Sequence, residues 1–412
     1  MSGTATNGTP MTGRDVLMGG EPVRLAERPL KSGGQAAVYP VQGLAGTVVK
    51  IYRESQDAAQ ERRLERMLTL HPLGDRPTHE TQPPELAWPT HLVRDRGGAF
   101  LGYAMRQFSE PQHVQIVGLF TRSQRARLFP GRGDWRFLLG VSWNLAFMTA
   151  RLHHGGFVIG DFSSNNVVVD GSGFVTFLDC DSIAFTDPKT GEYFPCLMHT
   201  ADYSAPERHK GGPATPESDD FALAVLIYQL LTGGNHPFGG VPHESDSDAT
   251  VKDNIAASCS YVVEPGRIVV PRTVVDPGVL PPALLGLARR AFGPGVDDPA
   301  ARPAAREWLR ALSEERPRVR VCADRPLHTY GSHLDACPWC ARVHATGQDL
   351  FNMVPQRDPT VPKPQTRPTV TQPGMPRPGP AAEPAWASRT AVIVAVVVGV
   401  IVVLLLIGVF SG

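Results

Sequence analysis

The chain has 412 residues, enough for two or three domains, so core burial is not limiting. Lysines plus arginines number 40 and so do aspartates plus glutamates, which leaves no net field to select nucleic acid or a membrane surface. Six cysteines in this length are too sparse for a secreted disulfide scaffold, and Cys337 and Cys340 have the spacing of metal ligands.

Residues 1–20 begin with a Gly/Thr/Ser-rich stretch lacking any apolar run, which predicts a disordered N-terminus and excludes a signal peptide there. Residues 23–25 and 36–41 alternate like a hairpin around Lys31-Ser32-Gly33-Gly34, a turn whose glycines let backbone N–H groups approach phosphate oxygens. Residues 47–52 read as a strand with Lys50 inside it, and a buried ammonium must be paired or it neutralises. The next segment, 56–70, predicts a helix, apolar at Leu64, Met67 and Leu68, with Glu61 and Glu65 one turn apart. Residues 91–93 and 99–105 read as two further strands around Gly97-Gly98, and 135–154 as a long apolar helix ending at Gly155-Gly156.

The densest chemistry lies in residues 158–181. Two β-branched runs flank Gly171-Ser172-Gly173 as a hairpin, with Asp161 and Asn166 before the first strand and Asp179 after the second. These are short oxygen ligands of the kind Mg²⁺ prefers, on loops where they can converge on phosphate oxygens. Farther on stand Ala205-Pro206-Glu207, Asp219 in the first turn of an apolar helix over 218–231, His236-Pro237-Phe238 and Arg302.

This ordered set resembles the eukaryotic-like protein kinases over residues 23–312. It looks most like a bacterial group with an Asp-x-Asp-Ser metal motif, here Asp179 to Ser182, and a Cys-Pro-Trp-Cys zinc module, here Cys337 to Cys340. The resemblance implies an α+β, bilobal protein-kinase-like fold, with an N-lobe at 21–108 and a C-lobe at 109–315. A zinc-binding module at 320–345, a proline-rich linker at 351–388 and one transmembrane helix at 390–410 would follow. It implies an ATP-dependent Ser/Thr protein kinase acting on a protein substrate, with a nucleotide-binding pseudokinase scaffold as the alternative.

By the same resemblance, Asp161 is the base, Asn166 and Asp179 hold Mg²⁺ (or Mn²⁺), and Lys50 holds the ATP phosphates. Glu61 or, preferred, Glu65 would pair with Lys50. Gly33, Gly34, Ala36 and Val38 would cover the nucleotide, and Met105 would begin the hinge against adenine. Asp219 would brace the catalytic loop, and Glu207 would pair with Arg302. Four positions around the catalytic loop and metal motif depart from the pattern: Ile159-Gly160 replace a His-Arg pair, Ser163 replaces a lysine, and Asp181 replaces a glycine. Asp181 is expected to add a carboxylate to the metal cluster. Without the arginine, a phosphate on Thr200 or Tyr203 would lack a cation.

Cys322, His328, Cys337 and Cys340 offer the four N/S ligands of a structural Zn²⁺, with His333 as a competing nitrogen. Ten prolines in 351–388 predict an extended tether. No helix-hairpin-helix signature is present, so no nucleic-acid partner is expected. Residues 391–410 are uncharged, sixteen of them Val, Ile, Leu or Phe, long enough as a helix to cross about 30 Å of hydrocarbon. Arg377 and Arg389 lie on its N-terminal side, which predicts a single-pass C-terminal anchor in the cell membrane with the kinase domain in the cytoplasm.

Overall fold

The computed structural model describes residues 15–54, 56–70, 72–73, 86–243 and 249–351. The chain divides into two units, Met1–Pro355 and Gln356–Gly412, and every described residue belongs to the first.

The N-terminal half builds one antiparallel sheet from β1 (Asp15–Met18), β2 (Glu21–Arg24), β3 (Lys31–Ser32), β4 (Ala36–Pro40), β5 (Thr47–Tyr52), β6 (His91–Arg94) and β7 (Phe100–Arg106), in the order β2-β1-β6-β7-β5-β4-β3. Residues 15–20, expected to be disordered, instead form β1 and its turn, because Val16 and Leu17 pair with Val23 and Pro22 and Val16 is buried. β4 and β7 flank β5 so that Lys50 lies opposite Val38 on one side and Tyr103 on the other. Gly102 is required there: a Cβ would stand 1.9 Å from the Lys50 carbonyl oxygen. Helix α1 (Ala58–Met67) begins at Asp57, whose side chain accepts from the Gln60 N–H, and buries Arg63, Leu64 and Met67.

The second half is mostly helical. Helix α2 (Arg122–Leu128) leads to α3 (Trp135–His154), which Asp134 caps by accepting from the Phe137 N–H. After β8 (His113–Gln115) and β9 (Phe157–Val158) in the sheets come β10 (Val167–Asp170) and β11 (Val175–Phe177), the expected hairpin, with Val167 opposite Phe177. A short helix, α4 (Pro206–His209), precedes α5 (Pro216–Leu231), which Thr215 and Ser218 cap reciprocally. Every α5 residue from Ser218 to Leu231 is buried, as a helix apolar on all sides must be. Beyond it lie α6 (Val251–Ala256), α7 (Pro282–Phe292), α8 (Pro294–Asp297) and α9 (Ala305–Glu315), and then α10 (Pro338–Thr346) in the cysteine-bearing segment. This mixture of one β-rich and one helix-rich half fits the kinase-like fold expected from the motifs.

The membrane expectation is corrected. Among the described residues no helix is long and apolar enough to cross a membrane. The longest of them, α3, reaches 20 residues but carries Arg136, Asn144 and Arg151. The proposed span at 390–410 and nearly all of the linker at 351–388 lie outside the described residues, so the single-pass anchor in the cell membrane is not supported.

Candidate active site

Strand β5 delivers Lys50 inward, where its ammonium meets two carboxylates from the segment after β11. Nζ lies 2.7 and 3.0 Å from Asp181 Oδ1 and Oδ2 and 3.2 Å from Asp179 Oδ1. Burial works against the charge, yet Asp181 and then Asp179 hold the ammonium above the ordinary lysine range. Asp179 sits in the left-handed region at φ 51°, a conformation costly for a residue with a Cβ and common at functional turns.

The helix partner expected for Lys50 is not there. Glu61 pairs with Arg94 on β6, and Glu65 lies 3.8 Å from the same arginine. Residues 60, 63, 64 and 67 share one helix face in phase with the apolar pattern, so it is Arg63 that turns inward and the two glutamates that turn away. The position of Arg63 one residue before Leu64 and four before Met67, on the same helical face, is the signal that could have identified it. Asp181 differs from expectation as well: it is buried, and its oxygens are occupied by Lys50, by the Tyr52 hydroxyl at 2.7 Å and by the Tyr103 hydroxyl at 2.8 Å.

The loop between β9 and β10 presents Asp161. Asn166 donates through Nδ2 to the Asp161 backbone oxygen and to Oδ2, at 3.0 and 2.9 Å, and the Thr200 hydroxyl donates to Oδ1 at 2.8 Å. Thr200, singled out in the sequence only as a phosphate acceptor, therefore holds the carboxylate in place. The Tyr203 hydroxyl donates to Ser164 Oγ at 2.9 Å. The Leu178 N–H donates to the Asn166 carbonyl at 2.8 Å, so the segments bearing Asn166 and Asp179 are fixed to one another.

Asp219 braces this loop as expected, accepting from the Ile159 and Gly160 N–H groups at 2.7 and 2.8 Å and lying 3.0 Å from His153 Nε2. Glu207 and Arg302 form the expected pair, with two contacts of 2.6 and 2.7 Å and the guanidinium fully buried. Gly160 explains the missing arginine before Asp161. At φ +75°, a Cβ there would stand 2.5 Å from the Cys196 sulfur, so the stretch between Asp179 and Glu207, which by the kinase resemblance is the activation segment, fills the space a longer side chain would need. Ser163 supplies no cation in place of the lysine, and its hydroxyl is buried without a hydrogen-bond partner among the described residues.

The brace carries a pH signature. Burial lowers the proton affinity of His153, but Asp219 outweighs it and raises the imidazole above its ordinary value; burial pushes the Asp220 carboxyl up to about 7. Both groups bind protons more tightly folded than unfolded, so stability falls as pH rises, from about pH 4 to 7 for Asp220 and through neutrality for His153. The melting temperature is expected to drop by about 2–4 °C between pH 6 and pH 8. Asp220→Asn should flatten that slope in calorimetric scans, and an unchanged slope would place the proton elsewhere.

The four sequence-predicted zinc ligands come together, with ligand atoms all within 4.8 Å of one another. His328 Nδ1 lies 3.5 Å from Cys337 Sγ and 3.4 Å from Cys340 Sγ, and Cys322 Sγ lies 3.7 Å from Cys340 Sγ. A tetrahedral zinc with ordinary Zn–S and Zn–N bonds would have edges of about 3.8 Å between sulfurs and about 3.6 Å between sulfur and nitrogen, so the donor set fits. His333 is excluded from it, with Nε2 lying 3.4 Å from the Gly278 carbonyl. Asp349, which sequence reasoning missed, lies 2.9 Å from His328 Nε2, and such a carboxylate fixes the ring so that Nδ1 faces the three thiols and would be free to bind a metal held there.

The cysteine-bearing segment is joined to the body. The Trp339 indole donates to the Thr329 carbonyl at 2.7 Å, and the Thr329 hydroxyl donates to the other oxygen of Asp134, the α3 cap, at 3.1 Å. The buried Arg125 guanidinium donates to the Leu350 carbonyl and stacks over Phe351, which packs on Trp339.

Comparison with known proteins gives the class of protein this geometry accords with. No family model matches the chain. The Escherichia coli (strain K12) protein named protein kinase YegI is 31% identical over 326 residues, covering 76% of this chain and 48% of YegI. The serine/threonine-protein kinase PknL of Mycobacterium tuberculosis (strain H37Rv) is 32% identical over 91 residues, 22% of this chain and 23% of PknL. PrkC of Bacillus subtilis (strain 168), also named a serine/threonine-protein kinase, is 28% identical over 102 residues, 25% of this chain and 16% of PrkC. The chain spans about half the length of YegI. These similarities support a bacterial Ser/Thr-kinase-like family for the chain.

Proposed function

We propose that the chain is an ATP-dependent protein kinase that transfers the γ-phosphate to serine or threonine of a protein substrate. The observation carrying this reading is the convergence of Lys50 on Asp179, beside a loop in which Asp161 is held by Asn166 and Thr200. In this reading the lobes are residues 15–108, extended from the expected 21–108 by strand β1, and 109–315, with Gly33, Gly34, Ala36, Val38 and Met105 around the nucleotide. Asp179 and the side-chain oxygen of Asn166 would hold Mg²⁺ or Mn²⁺, and Lys50 would hold the phosphates. Bound MgATP supplies the phosphoryl group and a divalent positive charge. Asp161 takes the proton of the substrate hydroxyl as its oxygen bonds to phosphorus and ADP departs. Cys322, His328, Cys337 and Cys340 would hold a structural Zn²⁺ in the same protein, with no open position for catalysis.

The test is phosphoryl transfer by the purified full chain, given Mg²⁺ and γ-labelled ATP, to itself or to a generic Ser/Thr protein substrate. Turnover is expected to be slow, because the loop lacks the cation that would stand at Ser163; one missing charge aimed at the transition state costs about 10²-fold or more. Asp179→Ala should weaken both nucleotide binding and transfer. Binding of Mg-nucleotide with no detectable transfer would establish the pseudokinase scaffold instead.

A further inference from the structure

We infer that Asp181 is the positioning residue that anchors Lys50, and that α1 has given up this task and holds the activation segment instead. The inference rests on the kinase reading of the site and concerns which residue orients its lysine.

The hydrogen-bond capacity of Asp181 decides its role. An ionised carboxylate has about four acceptor sites. Asp181 Oδ1 takes the Lys50 ammonium and the Tyr103 hydroxyl, and Oδ2 takes Lys50 and the Tyr52 hydroxyl. Its side chain is 8% exposed, against 39% for Asp179. Asp181 is thus saturated by donors and enclosed, whereas Asp179 remains open to a cation. Tyr52 is steadied in turn by Gln60 of α1, which donates to its hydroxyl at 3.0 Å. The fit is reciprocal: Tyr52 shares β5 with Lys50, and Tyr103 is its cross-strand neighbour on β7.

The face of α1 that would otherwise supply a carboxylate carries Arg63. Its guanidinium donates to the carbonyls of Ile183, at 2.8 Å, and Pro195, and reaches that of Asp181 at 3.5 Å. One turn on, Arg66 pairs at 2.8 Å with Asp187, whose side chain is fully buried. Cation and anion have exchanged places relative to a helix glutamate and a glycine after the metal ligand. A carboxylate on the Asp179 segment now orients the lysine, and two helix arginines hold that segment at points between Asp181 and Pro195, with no phosphate needed. Lys50 and the metal ligand Asp179 are consequently set by one short stretch, Asp179 to Asp181.

The test measures ADP affinity of the full chain by calorimetry, in EDTA and in excess Mg²⁺. Asp181→Asn is expected to weaken ADP about tenfold in both conditions and leave their ratio unchanged, whereas Asp179→Asn should lower the ratio. Tyr103→Phe, which keeps the packing, should show a smaller loss in the same sense. Glu61→Gln and Glu65→Gln should change neither affinity. An Asp181→Asn effect confined to Mg²⁺ would make Asp181 a metal ligand and overturn the inference, as would a Glu65→Gln loss matching that of Asp181→Asn. A nucleotide-independent readout separates this from the kinase reading. In a thermal-melting cycle, Lys50→Met and Asp181→Asn should be strongly non-additive, while Lys50→Met and Glu65→Gln should add. If wild type binds no ADP, the kinase reading fails, yet the cycle still decides the pairing. An additive Lys50 and Asp181 cycle would overturn it.

Discussion

Asp161→Asn is expected to reduce phosphoryl transfer at saturating MgATP by about 10³-fold, because on the proposed kinase reading it removes the group that accepts the substrate proton. Nucleotide affinity should stay within about twofold, since the base acts on the substrate hydroxyl and touches no phosphate. The substitution is close to isosteric, so Asn166 and Thr200 can keep their places around it. Reduced transfer is read from single-turnover label incorporation, and affinity from calorimetry with ADP. Equal transfer by the variant and the wild type would remove Asp161 from the chemistry, whatever the nucleotide affinity.

Loss of zinc is the second large effect. The purified full chain, prepared in reductant without chelator, is expected to hold about one tightly bound Zn²⁺, and Cys337→Ser should release it. The melting temperature should fall by about 5 °C or more, a change of a few kcal/mol for a domain of this size. Hydrogen exchange should rise first over 319–346 and then at the start of α3, because Thr329 binds the Asp134 cap. None of the residues proposed to hold nucleotide lies in 319–346, so ADP binding should persist. Metal analysis finding no zinc would defeat the assignment.

What the sequence determined on its own was local or carried by fixed spacing. The five-residue step from Asp161 to Asn166, the hairpin to Asp179 and the Cys-x-x-Cys knuckle each lie within a few turns of chain, so backbone geometry leaves their side chains little choice. Helix α3 was legible to the residue, because Asp134 and Gly155 end an apolar run unambiguously. Tertiary structure decided the pairings across long separations. Lys50 and Asp181 stand 131 residues apart, and no spacing rule says which carboxylate the β5 register will bring to that ammonium. Glu61 and Glu65 were plausible by charge, yet the burial of Leu64 and Met67 rotates α1 so that Arg63 faces inward and both glutamates reach Arg94. His328 and His333 were equivalent by composition, and the hairpin of Val319–Val321 with Thr329–Gly331 brings only His328 among the thiols. In each case the residue types were already in the sequence, and which of them meet depends on how packed faces rotate and register, a property of the whole core.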